Sequence, residues 1–195
     1  MLLISGLSIL LFAVNAKAAL VNNGDGTITD TDTNLMWLQD ANYAKTSGYD
    51  DDGFMDWNTA MTWVDTLIYA GHDDWRLPSS LNVDGTGPCD GFNCTDSEMG
   101  HLYYTELGYI ADPTGLYLPK NYSPFINLDQ YRSSSTEAVN EVWGFNFSYG
   151  RQDYGPLLRI DAQYMAVRVV PEPISSILFI TGGTLLAGTK DASFR

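Results

Sequence analysis

The hydrophobic and polar positions divide the chain into an apolar start, a long mixed central part and an apolar end. Residues 2–14 are almost wholly apolar, and residues 174–188 carry no charged side chain. Between them, apolar residues recur at the spacings of short strands and helices, and turns rich in Gly, Asp and Asn separate these runs. The pattern therefore predicts a folded domain in the central part and two apolar segments outside that domain at the ends.

Short strands are predicted near both ends of the central part. Leu35–Leu38 is an apolar run, and the turn-forming residues 30–34 separate it from a β-prone run that ends at Asp30, so we expect a hairpin. Residues 164–170 predict a closing strand. A half-buried strand is predicted before it, where small or polar residues alternate with Trp143, Phe145, Phe147 and Tyr149.

Two helices are predicted in the middle of the domain. Asp56 can cap the start of the first helix and Gly71 its end. The second helix begins at the capping-box spacing of Thr95 and Glu98 and stops at Gly108. Their apolar stripes, which we interpret as core, are Trp57, Ala60, Met61, Val64, Leu67 and Ile68 in the first helix and Met99, Leu102, Tyr103 and Leu107 in the second.

The apolar start predicts a signal peptide over residues 1–18. Ala16 and Ala18 are small residues at the two positions that a signal peptidase reads, so we expect the mature chain to begin at Ala19. An N-terminal membrane anchor is the weaker alternative, because the apolar run is short for a membrane span.

The apolar end resembles a sorting signal. Lys190 and Arg195 follow the uncharged run, and before it stand Val170, Pro171, Glu172 and Pro173. This order resembles the PEP-CTERM signal, which a membrane exosortase reads in bacteria that build extracellular polysaccharide. The resemblance implies that residues 171–195 include a hydrophobic helix in contact with the membrane, and that the tail is removed at the Pro-Glu-Pro site. A buried C-terminal helix is the alternative, since the run is shorter than the ~20 residues that cross a bilayer comfortably.

The composition of the domain between Ala19 and Val170 limits its partners. It carries 22 acidic and seven basic side chains, a net charge of −15. This charge repels nucleic acid and anionic lipid, and it favours cations, basic partners or simple solubility. The length predicts one domain, and the many aromatic residues predict that it folds.

The two cysteines, Cys89 and Cys94, lie in a Gly- and Asp-rich loop between the predicted helices. In an exported protein we expect them to form a disulfide that staples this loop. A structural zinc site is less favoured, because two sulfurs are too few and the histidines, His72 and His101, lie far away in the sequence.

Five motifs of the central part belong together. They are Asn-Gly-Asp-Gly-Thr at 23–27, Asp-Thr-Asp-Thr at 30–33 leading into Leu-Met-Trp, Asp-Trp-Arg-Leu-Pro at 74–78, Tyr131 with Ser133 and Ser134, and Ala-Val-Arg-Val at 166–169. They resemble the Lcl C-terminal domain family, named for the terminal domain of a bacterial collagen-like adhesin. The resemblance covers nearly all of residues 20–170. Arg132 departs from it, since the family favours Trp at this place.

The Arg-Leu-Pro element and the closing Val-Arg-Val also resemble the formylglycine-generating enzyme, a distant relative of C-type lectin domains. This resemblance implies an α+β, C-type-lectin-like fold with two helices, a small antiparallel sheet and long loops. It does not carry the activity over, because that enzyme needs a reactive cysteine pair near its C-terminus and this chain has no cysteine after Cys94.

The segment from Asp74 to Pro78 is interpreted as a structural motif rather than as a site. Arg76 can hold a buried carboxylate or loop carbonyls in bidentate fashion, and Pro78 blocks further strand pairing. A ligand-binding role for Arg76 is the alternative. The motif comprises Trp37, Trp75, Arg76, Leu77 and Pro78.

No catalytic constellation stands out, so we expect no catalytic residue and no enzyme. Adjacent carboxylates at 50–52 and 73–74 are expected by chance in so acidic a chain, and no Gly-x-Ser-x-Gly motif is present. No cofactor is expected, and calcium is the metal that the sequence favours. An oxygen site can use Asp25 or Asp30, or the loop between Asp84 and Asp96, although ordinary Asx turns explain the same residues.

Two function classes remain. The first is a binding module for carbohydrate or matrix polymer, with exposed aromatic contacts at Tyr117, Tyr122 and Tyr131; the second is a structural envelope or biofilm protein without a discrete ligand. A hydrolase is less favoured. The expected partners are signal peptidase, exosortase and extracellular polysaccharide. The expected location is the envelope, cell surface or matrix of a Gram-negative bacterium, reached by secretion through the inner membrane.

Overall fold

The computed structural model describes residues 20–115, 120–128, 131–138, 141–156 and 162–171, and for 131–138 and Pro156 it describes the backbone alone. The expected signal peptide with Ala16 and Ala18, and the sorting tail from Glu172 onward with Pro173, lie outside these residues. Val170 and Pro171 end the described part. Within it, no helix is long and apolar enough to cross a bilayer.

The described part of the domain is a mixed α/β structure with few helices and small antiparallel sheets, as the sequence predicts at this coarse level. Along the chain its elements are β1 (Leu20–Asn22), β2 (Thr27–Asp30), β3 (Leu35–Leu38), α1 (Tyr43–Thr46), α2 (Trp57–Thr66), β4 (Gly91–Phe92), α3 (Glu98–His101), a π-helix (Leu102–Glu106), β5 (Tyr131–Ala138), β6 (Glu141–Asn146), β7 (Arg151–Pro156) and β8 (Val167–Val169).

The first sheet joins the two ends of the domain. Its strand order is β1-β2-β3-β8, and all its pairs are antiparallel. β2 and β3 form the predicted hairpin, with Ile28 opposite Trp37. The closing strand is also present, although it is shorter than predicted and spans Val167–Val169.

The second sheet has the order β4-β7-β6-β5. Its central strand β6 differs from the predicted half-buried strand, because Val142, Trp143, Gly144 and Phe145 are all buried. Neighbouring structure therefore covers both faces of β6. The strand ends at Asn146, so Phe147 and Tyr149 lie in the following turn.

Helix α2 begins as predicted but ends earlier. The Asp56 side chain accepts a hydrogen bond from the Thr59 backbone N–H, which is the geometry of an N-cap. The helix stops at Thr66 instead of Gly71, and Ile68 is 77% exposed. Ala70 and Gly71 instead form a tight turn, with φ of +49° at Ala70 and +79° at Gly71. Two backbone hydrogen bonds between Tyr69 and His72 close this turn.

The second helix begins later than predicted. Its N-cap is Ser97, whose hydroxyl accepts from the Gly100 N–H, and Thr95 lies outside the helix. The predicted capping box is wrong because Glu98 directs its carboxylate away from the helix start, towards Arg76. After His101 the helix widens into the π-helix, and Gly108 follows with φ +67°.

Two groups of buried side chains form the core. One lies between the first sheet, the π-helix and β6, and it includes Trp37, Tyr103 and Phe145. The other lies under α2 and includes Trp63, Trp75, Leu77 and Tyr164. Trp37, Trp75 and Leu77, three residues of the predicted structural motif, are thus core residues with at most 4% exposure.

Candidate functional site

Two of the sequence motifs meet in the fold. The backbone of Arg76 pairs with that of Val167 through two hydrogen bonds of 2.9 Å. Arg168 donates to Asp74 in bidentate fashion, from Nε to Oδ1 at 2.6 Å and from Nη2 to Oδ2 at 3.0 Å. Arg76 therefore makes a single bridge to β8 at the edge of the first sheet, and the Asp74–Arg168 pair fastens this segment beside the strand.

The Arg76 side chain binds a carboxylate. Its Nη1 donates to Glu98 Oε2 at 2.8 Å and its Nη2 donates to Glu98 Oε1 at 2.6 Å. Glu98 Oε2 also accepts from the Ser79 backbone N–H at 2.7 Å. The hydrogen bonds that Arg76 donates to Glu98 raise the pKa of Arg76, although burial opposes this rise. The pair connects the residue 74–78 segment to the first turn of α3.

A cleft of about 610 Å³ opens beside this pair. Its walls are the turn between β2 and β3, the segment from Arg76 to Val83, the start of α3 and Val169 at the end of β8. Apolar side chains alternate there with groups that can donate or accept hydrogen bonds. Leu81 and Val83 stand at the rim with 38% and 91% exposure, so the cleft offers both apolar contact and polar recognition.

Three acidic or imidazole side chains converge behind the cleft. His101, which lines the cleft, places Nε2 at 3.7 Å from Asp30 Oδ2 and 3.4 Å from Glu106 Oε1. One donor atom from each of the three residues lies within 4.8 Å of the others. The side chains of Asp30 and Glu106 are each only 1% exposed.

Local structure explains how these three side chains are held. Asp30 ends β2, and its Oδ1 accepts from the backbone N–H groups of Asp32 and Thr33, which leaves Oδ2 directed at His101. His101 and Glu106 are five residues apart. The π-helix, with its i to i+5 hydrogen bonds, brings such a pair to the same face, whereas an α-helix does not.

The surroundings of Glu106 change its pKa. Burial raises the pKa of Glu106, the negative charge of Asp30 raises it further, and His101 opposes this rise. Neither Glu106 Oε1 nor His101 Nε2 makes a hydrogen bond, although both atoms are buried. The cluster therefore brings two buried carboxyl groups and an imidazole nitrogen close together, and neither Glu106 Oε1 nor His101 Nε2 has a hydrogen-bond partner.

The sequence predictions did not include this cluster. They named Asp25 or Asp30 for a calcium site, but Asp25 Oδ1 accepts from the backbone and hydroxyl of Thr27, and Asp25 is not among the three converging residues. They set His101 aside because of its distance from the cysteines. The spacing of His101 and Glu106 carries no signal unless a π-helix is anticipated.

The other predicted site residues lie elsewhere. Cys89 and Cys94 form the predicted disulfide, with Cα atoms 5.6 Å apart. Tyr122, expected as an exposed contact, is half-buried: its hydroxyl donates to the Phe147 carbonyl at 2.6 Å and its ring packs edge-on against Tyr109 and Phe147. Tyr117 and the side chain of Tyr131 lie outside what the structure describes.

The family model described as the Lcl C-terminal domain matches residues 26–171, so the chain belongs to this family. The matched residues include the Arg76–Glu98 pair, the cleft and the three-residue cluster. No curated protein and no solved structure matches the chain.

Proposed function

We propose that this member of the Lcl C-terminal domain family is an exported, exosortase-processed protein whose domain, residues 19–170, is a non-catalytic binding module for carbohydrate or a matrix polymer. The signal peptide over residues 1–18 and the PEP-CTERM tail over residues 171–195 would deliver it to the cell surface, envelope or matrix of a Gram-negative bacterium. A C-type-lectin-like fold is part of this proposal. The two small antiparallel sheets, the short helices and the stapled loop support it.

The observation that carries the proposal is the composition of the cleft. Sugars present apolar C–H faces and many hydroxyls, so a suitable site combines exposed apolar side chains with fixed hydrogen-bonding groups. The cleft supplies Leu81 and Val83 for the first requirement. Asn82, Asp96 and the Arg76–Glu98 pair supply the second.

The engagement of Glu98, one of the carboxylates in the cleft, supports a binding role over hydrolysis. A general acid must bring its carboxyl group within hydrogen-bond reach of the reacting group. Glu98 instead accepts three hydrogen bonds from the protein, two of them from a guanidinium, so both of its oxygens are already engaged. This geometry suits a fixed wall of a binding site.

Glycan binding to the full chain, produced with export and purified in mild detergent, tests the proposal. A glycan array followed by calorimetry should identify an oligosaccharide ligand. The double variant Leu81→Ser, Val83→Ser should weaken its binding at least about tenfold, because apolar contact area is lost at a site where little stability is at stake.

The matched control is Ile68→Ser, Ile110→Ser, which removes two exposed apolar side chains away from the cleft, at 77% and 82% exposure. It should bind like the parent chain. If no glycan binds, the structural role without a discrete ligand takes precedence. Equal losses in both double variants would show that the cleft is not the site.

A further inference from the structure

The distances within the Asp30–His101–Glu106 cluster match those of a metal site. In a tetrahedral zinc site with bonds of about 2.0–2.1 Å, neighbouring donor atoms lie roughly 3.3 Å apart. His101 Nε2 lies 3.4 Å from Glu106 Oε1 and 3.7 Å from Asp30 Oδ2. The ligand atoms of Asp30 and Glu106 lie within 4.8 Å of each other, so one ion fits among the three donors once the carboxylates draw closer.

Burial and the lack of hydrogen bonds point independently to a ligand. A buried carboxylate is costly unless it is paired and hydrogen-bonded. The Glu106 side chain is 1% exposed, and its Oε1 contacts His101 Nε2 at 3.4 Å as an ion-pair contact, while neither atom has a partner at hydrogen-bond geometry. A cation between these atoms would satisfy both.

We propose that Asp30, His101 and Glu106 bind one divalent transition-metal ion, with Zn²⁺ as the reference ion. The charge of such an ion balances the two carboxylates, and a neutral imidazole supplies the nitrogen that zinc and similar metals accept. Calcium fits less well, because it takes six to eight oxygen ligands. This inference concerns residues that the calcium expectation did not group, and it does not depend on glycan binding.

The surroundings of the cluster are those of a prepared site. The backbone N–H groups of Asp32 and Thr33 hold Asp30 Oδ1, at 2.9 and 3.2 Å, so Oδ2 is oriented before any ion arrives. Three protein ligands leave one tetrahedral position open. Since His101 also lines the cleft, water or a ligand oxygen can reach the ion from that side. The ion would connect the β2–β3 hairpin to the π-helix.

Metal titration of the chelator-treated full chain tests the inference. We expect calorimetry and elemental analysis to find one Zn²⁺ per chain, and Co²⁺ to give the visible absorption of a four- or five-coordinate site. His101→Gln and Glu106→Gln should each lower Zn²⁺ affinity at least about a hundredfold, since each removes a direct ligand. Glu106→Gln also removes a buried charge, so it should keep the fold, as circular dichroism can verify.

The matched controls are His72→Gln and Glu141→Gln, which make the same chemical changes away from the cluster. They should retain the affinity of the parent chain within about twofold, as expected for residues that do not contact the ion. The inference is overturned if the parent chain binds no stoichiometric Zn²⁺, or if Glu106→Gln and Glu141→Gln bind equally well. If the parent chain binds Zn²⁺ but no glycan, only the proposed function is contradicted.

Discussion

At the residue scale, two arginine–carboxylate pairs distinguish this domain from one held by apolar packing alone. Both arginines belong to motifs that the sequence singled out. The sequence offered a buried carboxylate or loop carbonyls as partners of Arg76, which donates both to Glu98 and to the Leu77 carbonyl. It did not identify Glu98, because helical capping offered a competing local role for this residue. The pairing of Asp74 with Arg168 joins distant segments, so no local pattern could reveal it.

Asp74→Asn should destabilise the fold by about 1–2 kcal/mol, because it leaves the buried Arg168 guanidinium without a carboxylate. The expected loss of stability is small because the Asp74 side chain is 54% exposed and solvent screens the pair. Urea unfolding measures it, with Asp73→Asn as the control, which should stay within about 0.5 kcal/mol. Equal effects of the two variants would contradict a specific pair.

The same pair predicts a pH dependence. The hydrogen bonds from Arg168 lower the pKa of Asp74, and partial burial opposes this only in part. The stabilisation is therefore present above the unfolded-state pKa of about 3.9 and is lost as the pH falls through the lower folded-state pKa. The difference in unfolding free energy between the parent chain and Asp74→Asn should shrink below about pH 4. A constant difference down to pH 2 would refute this.

Trp75→Ala should cost on the order of 3–5 kcal/mol, because it removes a large side chain, 4% exposed, from the core under α2. Loss of cooperative thermal unfolding would be the extreme result. Ile68→Ala, at the exposed end of the same region, should change stability by less than about 0.5 kcal/mol. A stable Trp75→Ala protein would show that this tryptophan is not a core residue.

At the scale of elements, the sequence predicted the β2–β3 hairpin, α2, α3, β6 and β8, but most of their bounds differ, and it did not predict β1, α1, β4, β5 or β7. The hairpin of β2 and β3 and the N-cap of α2 follow from local rules. The end of α2 does not, because Ala70 and Gly71 favour a tight turn over a helix cap. The π-helix was not predicted, because the spacing of apolar residues over 99–107 fits an α-helix about as well as a π-helix.

The packing of α3 against the stapled loop yields a prediction for Gly100. A Cβ atom at this position would lie 1.8 Å from the Cys94 carbonyl oxygen, and backbone cannot move aside as a flexible side chain can. Gly100→Ala should therefore destabilise the domain by about 1–3 kcal/mol. Thr105→Ala, at an exposed position of the π-helix, is the control. An unchanged unfolding midpoint for Gly100→Ala would mean that α3 is not seated on the loop.

At the scale of the whole molecule, the sequence predicted the family and a single folded domain, because several separated motifs had to occur together in one order. It could not predict the three-residue cluster. Asp30, His101 and Glu106 come from the end of a strand and from a helix whose period changes, and their convergence depends on how the first sheet packs against that helix.

Processing is a property of the full chain. Mass spectrometry of the protein from its native host should find a chain that begins near Ala19 and ends near residues 171–173. Glu172→Ala should retain the tail, because it alters the motif that exosortase is expected to read. Mature surface material that extends to Arg195 in the parent chain would contradict the sorting proposal.

The strand order of the first sheet has a consequence for orientation. Leu20 is paired with Asp30, Asp30 with Leu35 and Leu35 with Val169, so the chain enters and leaves at the same end of one sheet. Three strand spacings, about 14 Å, separate the two points. The turn after Asp30 and Val169 also border the cleft. If the proposed sorting tail holds the chain at a membrane, the strand order therefore places the cleft on the side of the domain from which that tail departs.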